Sequence, residues 1–419
     1  MKLGVVANEF FDPAVSRVDE SISRMGGFGF AARQAMDAFL VEPSLGVEVV
    51  CLPGRALRFA DPRDPRAHGV RAVPWQGGTG ERAAAHRAAL RAEGIDLLLT
   101  IDYRPSYDRV LRTLRRTPAI VWVRDPRTPA DWDAVDSLRI PDSDAARPKG
   151  LGRIDCTGAR WEVLRSTLLR RPLVFATLEP RLGERMRATY GVSPRLHLLP
   201  NIVPQPAREP EKAARPTVAY LGRLDPIKRP WLVFALAERM PEVEFVMMGK
   251  AHFDGEGAWA PSRIPPNVRL TGHVEGEEKR RVLGTAWLAL NTSIHEAVAF
   301  SFLEALACRT PMVAGVEMAG LVARFGAFVG RFPGTGLEGL DAFERALRRL
   351  LADHDARERL GRAGQEWVAR THTRDAFLDA VARLCRQAGV RWPQGEARLA
   401  RAGASGAPEL ATALATDVR

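Results

Sequence analysis

The chain is poor in cysteine, tyrosine and histidine and has no long apolar run. Its four cysteines, Cys51, Cys156, Cys308 and Cys385, are scattered over 419 residues with no C-x-x-C spacing. That excludes a disulfide framework and a thiolate metal site as expectations and predicts buried free thiols. Nowhere do eighteen apolar residues run uninterrupted, so no membrane-spanning helix is expected. The opening MKLGVVANEFFD has no charged segment followed by a long apolar one, which makes the cytoplasm the expected location. No histidine falls between His86 and His197.

Positive charge is plentiful, with 61 Lys and Arg against 50 Asp and Glu, a net charge of +11 and a pI near 10.1. A nucleic-acid partner is still not expected. The arginines of stretches such as FERALRRLLADHDARERLGR are interleaved with acids, and no nucleic-acid module motif occurs. A basic amino-terminal face, around RPKGLGR (147–153) and RSTLLRRP (165–172), leaves peripheral contact with an anionic membrane, at its inner face, as an expectation. The 46% hydrophobic and 26% charged content is ordinary for a globular protein, and the length suffices for two domains with full cores.

The carboxy-terminal half reads as alternating strands and helices. TAWLALNTS (285–293) is an apolar run bounded by turn residues, as a buried strand would be, and SFLEALACR (301–309) has helical spacing. Residues 294–300, carrying Glu296, then form a loop at a sheet's carboxyl edge, where ligands bind in such folds. The carboxylate suits sugar hydroxyls, and the free amides of Ala299, Phe300 and Ser301 at the helix start suit phosphate oxygens. Each residue also has a plainer role. Ser301 and Glu304 fit a capping box, and a loop glutamate such as Glu296 is commonly just solvated. Upstream, TVAYLGRLDPIKRP (217–230) reads as a strand, a glycine turn and a loop with Arg223 and Lys228 before a helix near Pro230. Two cations at a strand's carboxyl end suit a diphosphate, though in an Arg-rich chain either alone is explained by exposure.

In this order, GRLDPIK (222–228) and the pair Glu296 and Glu304 resemble the donor domain of retaining GT-B glycosyltransferases of the family-4 type, the glycosyl transferases group 1. LLPNIV (198–203), VEFVMMGK (243–250) and NVRLTGHV (267–274) support the resemblance, which covers roughly residues 195–390. It implies an α/β fold of the GT-B type, with two Rossmann-like, doubly wound parallel-sheet domains facing across a cleft. It implies transfer of a sugar from a nucleotide-diphosphate sugar to an acceptor hydroxyl with retention and without a metal or other cofactor. Arg223 and Lys228 would bind the donor diphosphate, Glu296 the transferred sugar and Glu304 the ribose. The glycine pair Gly26–Gly27 would lie near the donor phosphate.

Two departures from the family pattern stand out. Ala297 and Ala299 replace the glycines of the usual E-G-F-G, and alanine resists positive φ. The amino-domain histidine found in many relatives is missing, so Asp102, Arg124 and Asp125, at the ends of IDLLLTIDYR (95–104) and AIVWVRDPR (119–127), are the candidates to replace it. Either aspartate could orient or deprotonate an acceptor hydroxyl, and Arg124 or Arg127 could hold an anionic acceptor. Asp125-Pro126 could equally begin a simple turn.

Composition places the amino-terminal domain at 1–203, a proline-rich linker at 204–216, a second domain at 217–372 and a disordered tail at 392–419, and the resemblance implies that 217–372 binds the donor and that a helix near 374–390 crosses back onto the amino-terminal domain. A weakly periodic insert at 127–170 would shape the acceptor site. Two other function classes remain. Gly27-Phe28-Gly29-Phe30-Ala31-Ala32 spells a dinucleotide fingerprint, which admits an NAD(P)-dependent oxidoreductase, although VEVVCLPG (47–54) ends without the expected acid. A non-catalytic nucleotide-sugar-binding module is the other.

Overall fold

The computed structural model describes residues 1–9, 26–56, 63–67, 69–145, 147–149, 151–209 and 211–393. The tail expected at 392–419 therefore lies almost wholly outside the described residues. Two six-stranded sheets, every neighbouring pair parallel, form two α/β layers. The first contains β1 (Lys2–Ala7), β2 (Glu48–Pro53), β3 (Leu97–Ile101), β4 (Ala119–Val123), β5 (Leu173–Thr177) and β6 (Leu196–Leu198), in the order β2-β1-β3-β4-β5-β6. The second contains β7 (Thr217–Leu221), β8 (Glu244–Met248), β9 (Val268–Gly272), β10 (Leu288–Asn291), β11 (Met312–Ala314) and β12 (Gly326–Phe328), in the order β9-β8-β7-β10-β11-β12.

Continuous apolar runs become these strands because helices cover both sheet faces. Every residue of β3, β4 and β10 is buried, and parallel sheets tolerate little else. Strand order reverses between β7 and β10, where neighbouring connections leave toward opposite faces and open a crevice at the carboxyl ends. The loops 222–230 and 292–299 meet there. In the first sheet the same reversal lies between β1 and β3, beside the glycine run.

Helix Arg374–Gln387 lies on the amino-terminal domain, with Phe377 against Phe39 and Trp122, and Arg374 donating to the Ala38 carbonyl at 2.8 Å and to Glu42 at 2.9 Å. The two chain crossings touch. Asn201 N donates to His372 Nδ1 at 3.2 Å, and Val203 N donates to the His372 carbonyl at 2.8 Å. Burial without a compensating charge lowers the His372 pKa to about 4, so it is a neutral acceptor there. The segment read as a linker is anchored: Lys212 Nζ donates to the Ala286 carbonyl at 2.8 Å and Thr310 Oγ1 at 2.9 Å.

The insert read as weakly periodic holds two helices, Pro129–Asp136 and Gly158–Leu168. Thr128 and Asp131 form a reciprocal capping box on the first. Trp132, Val135, Leu138 and Ile140 then join the core of the carboxy-terminal domain. A local reading misses this because the apolar partners lie in the other domain. All four cysteines are free and buried, and burial pushes their thiols up to about 12. No helix among the described residues is long and apolar enough to cross a membrane.

Candidate functional site

The crevice floor depends on one glycine, Gly249. A Cβ on Gly249 would stand 1.9 Å from the Gly222 carbonyl oxygen, and Gly249 has φ +145°, so β7 and β8 can end this close together only with glycine there. Beyond Gly222 the chain makes a turn at Pro226–Lys228 and passes through Arg229 in the left-handed region, φ +46°. Arg229 is fully buried. Its guanidinium donates to the carbonyls of Thr292 at 2.7 Å, Ser293 at 3.1 Å and Phe332 at 2.6 Å. Thr292 Oγ1 returns a hydrogen bond to the Lys228 carbonyl at 2.7 Å. One buried cation therefore fixes the loop after β7 against the loop after β10.

Across this junction Lys228 Nζ meets Glu296 Oε1 in a close ion pair. Glu296 also accepts from Ser293 Oγ at 2.7 Å and Asn291 Nδ2 at 3.3 Å. Burial opposes its ionisation, but Lys228 and these hydrogen bonds more than offset that and hold its carboxyl below the ordinary value. Glu296 is thus not a simply solvated loop residue. Arg223 stays partly exposed, with Nη1 at 3.2 Å from Asp225 Oδ2.

Glu304 does not close a capping box. The helix runs Phe300–Ala307 with Ala299 as its cap residue and no side-chain cap bond, and Glu304 pairs with Lys279 Nζ at 2.6 Å. Burial raises the Glu304 pKa, against the attraction of Lys279. Ala297 and Ala299 take the glycine positions with negative φ, Ala299 at φ −70° and ψ 137°. The loop has a backbone that alanine adopts without strain.

The amino-terminal domain faces this helix start. Phe30 packs edge-on to Phe300 at 4.7 Å, and Lys279 Nζ lies 5.1 Å from the Phe30 ring centre. Gly26 N donates to Glu9 Oε2 at 3.2 Å, and a Cβ on Gly27 would meet nothing within 4 Å, so Gly27 borders open space. Arg124 lies against Trp122 and Phe300, 4.4 and 5.3 Å from the ring centres, with Nη1 buried and unpartnered. Burial lowers its pKa to about 9, which leaves it cationic at neutral pH.

Asp102 and Asp125 differ in placement. Asp102, at φ +67°, turns inward and is 1% exposed, accepting from Tyr190 Oη and from Arg124 N at 3.3 Å, with Arg104 at 3.3 Å. It is not on the cleft edge, because the left-handed residue after β3 directs its side chain into the domain. Asp125 does face the cleft. It binds Arg127 Nε at 2.9 Å and, from the other domain, His295 Nε2 at 2.6 Å. His295 Nδ1 lies 3.5 Å from Asp131 Oδ1, and Asp131 also accepts from Arg185 at 2.8 Å and Arg331 at 3.2 Å.

Nothing in the amino-terminal domain's sequence points to His295, because it comes from the other domain. Its only sequence signal is adjacency to Glu296. Burial opposes ionisation of Asp125, yet Arg127 and His295 hold its carboxyl well below the ordinary range. A folded value below the unfolded one contributes stability that is present above the unfolded pKa and lost as pH falls through the folded value. Asp125→Asn should therefore be less stable than the parent at pH near 7, with the gap in urea midpoint closing as pH falls below about 4. A gap independent of pH would show that the carboxylate's charge contributes nothing.

Among the described residues no group of three or more His, Cys, Asp and Glu side chains is placed to hold a metal ion. The geometry is that of two Rossmann-like domains with cations and a carboxylate at the switch point of the second, the GT-B class. The fold agrees with solved structures. Sucrose-phosphate synthase from Thermosynechococcus elongatus superposes with a TM-score of 0.63 at 18% identity, covering 92% of this chain and 98% of that one. HepE of Anabaena in complex with UDP-glucose gives 0.62 at 12% identity, covering 92% and 100%. Residues 204–367 match the model of glycosyl transferases group 1. D-inositol 3-phosphate glycosyltransferase of Mycolicibacterium smegmatis is 29% identical over 199 residues, 43% of this chain and 43% of its own length. The chain thus matches less than half of that relative.

Proposed function

We propose that the protein is a retaining glycosyltransferase moving a sugar from a nucleotide-diphosphate sugar to an acceptor hydroxyl. The observation that carries this reading is the Lys228–Glu296 pair, held by Arg229 at the switch point beside an uncapped helix start. The diphosphate lies against Lys228, Arg223 and the amides of Phe300 and Ser301, with Arg124 approaching from the opposite domain. Glu296 orients the sugar hydroxyls, and Glu304 with Lys279 faces the ribose. When the bond from the anomeric carbon to the diphosphate breaks, negative charge grows on the phosphate, where fixed cations and helix amides stabilise it. The acceptor oxygen bonds to the anomeric carbon on the same face of the sugar, and its proton passes to the departing phosphate oxygen, which leaves with the nucleoside diphosphate. With these cations supplying the charge, transfer requires no metal ion.

Asp102 acts as a positioning residue for Arg124 and its strand end. Asp125, a weak base at its depressed pKa, joins the domains through His295 instead of removing the acceptor proton. Gly27 keeps the donor side of the amino-terminal domain open. A nicotinamide cofactor gains no support from the glycine run, because β2 ends in Leu52-Pro53 with no acid for a ribose.

The test is a thermal-shift screen against UDP, GDP, ADP, TDP, their common sugars, NAD and NADP, with Arg223→Ala and Glu296→Ala beside the parent. One nucleoside diphosphate should raise the melting temperature of the parent and not of Arg223→Ala, since only ligands that bind the native state stabilise it. A response to NAD alone, or to no nucleotide, sinks the reading. Binding of a nucleotide sugar with neither transfer nor slow donor hydrolysis would leave a binding module.

A further inference from the structure

Helix Gly158–Leu168 carries large apolar side chains on its outer face. Its inward residues are Ala159, Glu162 and Ser166, whereas Trp161, Leu164 and Leu168 are 66%, 48% and 75% exposed. Positions 161, 164 and 168 fall on one helical face. The inward Glu162 is held by Arg171 and Arg165, and Ala159 and Val163 pack on the domain core, so the helix docks through the face opposite Trp161, Leu164 and Leu168. Burial in the domain core therefore does not explain the three large apolar side chains, and contiguous apolar surface of this kind marks an interaction site.

We propose that this face docks the protein onto an anionic lipid surface. Trp161, Leu164 and Leu168 line one shallow groove together with Arg112 and Arg165. Arg112 pairs with Asp108 at 3.0 Å, whereas Arg115 and Arg116, three and four residues further on, and Arg170, two residues past Leu168, are exposed and form no ion pair with a described residue. The helix's only acid, Glu162, is buried. A tryptophan and two leucines rimmed by arginines match a bilayer interface, where aromatic rings sit at headgroup depth and guanidinium groups reach lipid phosphates. A second copy fits worse, because a self-complementary contact would press two arginine-rich rims together. Nucleic acid would leave the apolar residues unused. The other basic stretch, 147–153, does not contribute. Lys149 N donates to the Gly257 carbonyl at 2.6 Å, turning that segment to the donor domain, and Arg147 and Arg153 pair with Asp136.

The proposal is independent of the donor chemistry. The full chain is sedimented with vesicles of phosphatidylcholine alone or mixed with phosphatidylglycerol, beside Trp161→Ser/Leu168→Ser and Arg115→Ser/Arg116→Ser. Binding is expected with the mixed vesicles only. It should fall at least tenfold in the apolar double variant and about fivefold per arginine removed, while circular dichroism and the nucleotide response stay those of the parent. No sedimentation of the parent overturns the proposal, as does equal binding by the apolar double variant, which would mean bulk charge alone. A concentration-dependent dimer that dissolves in that variant, without vesicle binding, would assign the face to a second copy.

Discussion

Lys228→Ala should lower kcat/KM by about 10²–10³-fold, the usual loss when one fixed group facing developing charge is removed. Two effects act together. The departing diphosphate loses a cation, and Glu296, buried with Lys228 as its partner, becomes an uncompensated carboxylate whose pKa rises. Glu296→Gln separates them. It keeps the shape of the loop and leaves Lys228 free, so nucleoside diphosphate should bind at least as tightly as to the parent while transfer still falls. If Lys228→Ala and Glu296→Gln weaken diphosphate binding equally, the assignment of phosphate to one and sugar to the other fails. Excess chelator should leave the parent's transfer rate within about twofold, well under 1 kcal/mol of barrier; a larger loss would mean that a metal, not these cations, carries the charge.

Arg229→Met should produce the largest loss of stability of any single change at the site. The guanidinium is fully buried and donates to three carbonyls from two loops, all of which would be left unpaired. At about 1–3 kcal/mol for each unsatisfied group, partly offset by removing a buried charge, the net cost is about 3–5 kcal/mol. For a domain of this size that is a fall in melting temperature of about 10 °C. Calorimetry of Arg229→Met against Arg239→Met, whose guanidinium is surface-paired with Asp341, provides the comparison. A shift no larger than that of Arg239→Met would mean the two loops are held by other contacts, and nucleotide binding would then survive.

The half of the candidate site in the second domain could be read as a cluster of loops because its residues are local. Gly222, Arg223 and Lys228 lie in one loop, and Glu296 and Ser301 in another, each attached to a strand whose apolar run announces it. Parallel strands covered on both faces must be apolar throughout, so β7 and β10 declare their ends, and with them the loops that hold ligands. Ser301 and Glu304 have the spacing of a capping box but do not form one, because Lys279, on a different helix, holds the glutamate, which spacing alone cannot show.

The amino-acid sequence by itself determined the alternation of strands and helices, the free buried thiols and which charged residues share the switch-point loops, since these follow from periodicity, spacing and composition, while the two-domain fold was implied by the family resemblance. Only the tertiary structure decided that Asp102 turns inward, that His295 reaches Asp125 and Asp131 across the cleft, that Arg229 ties the two loops, and that one helix exposes Trp161, Leu164 and Leu168. Each of these depends on a partner far away in the chain. A charge or an apolar side chain acquires its role from what the fold places against it, and that is not written in its neighbours.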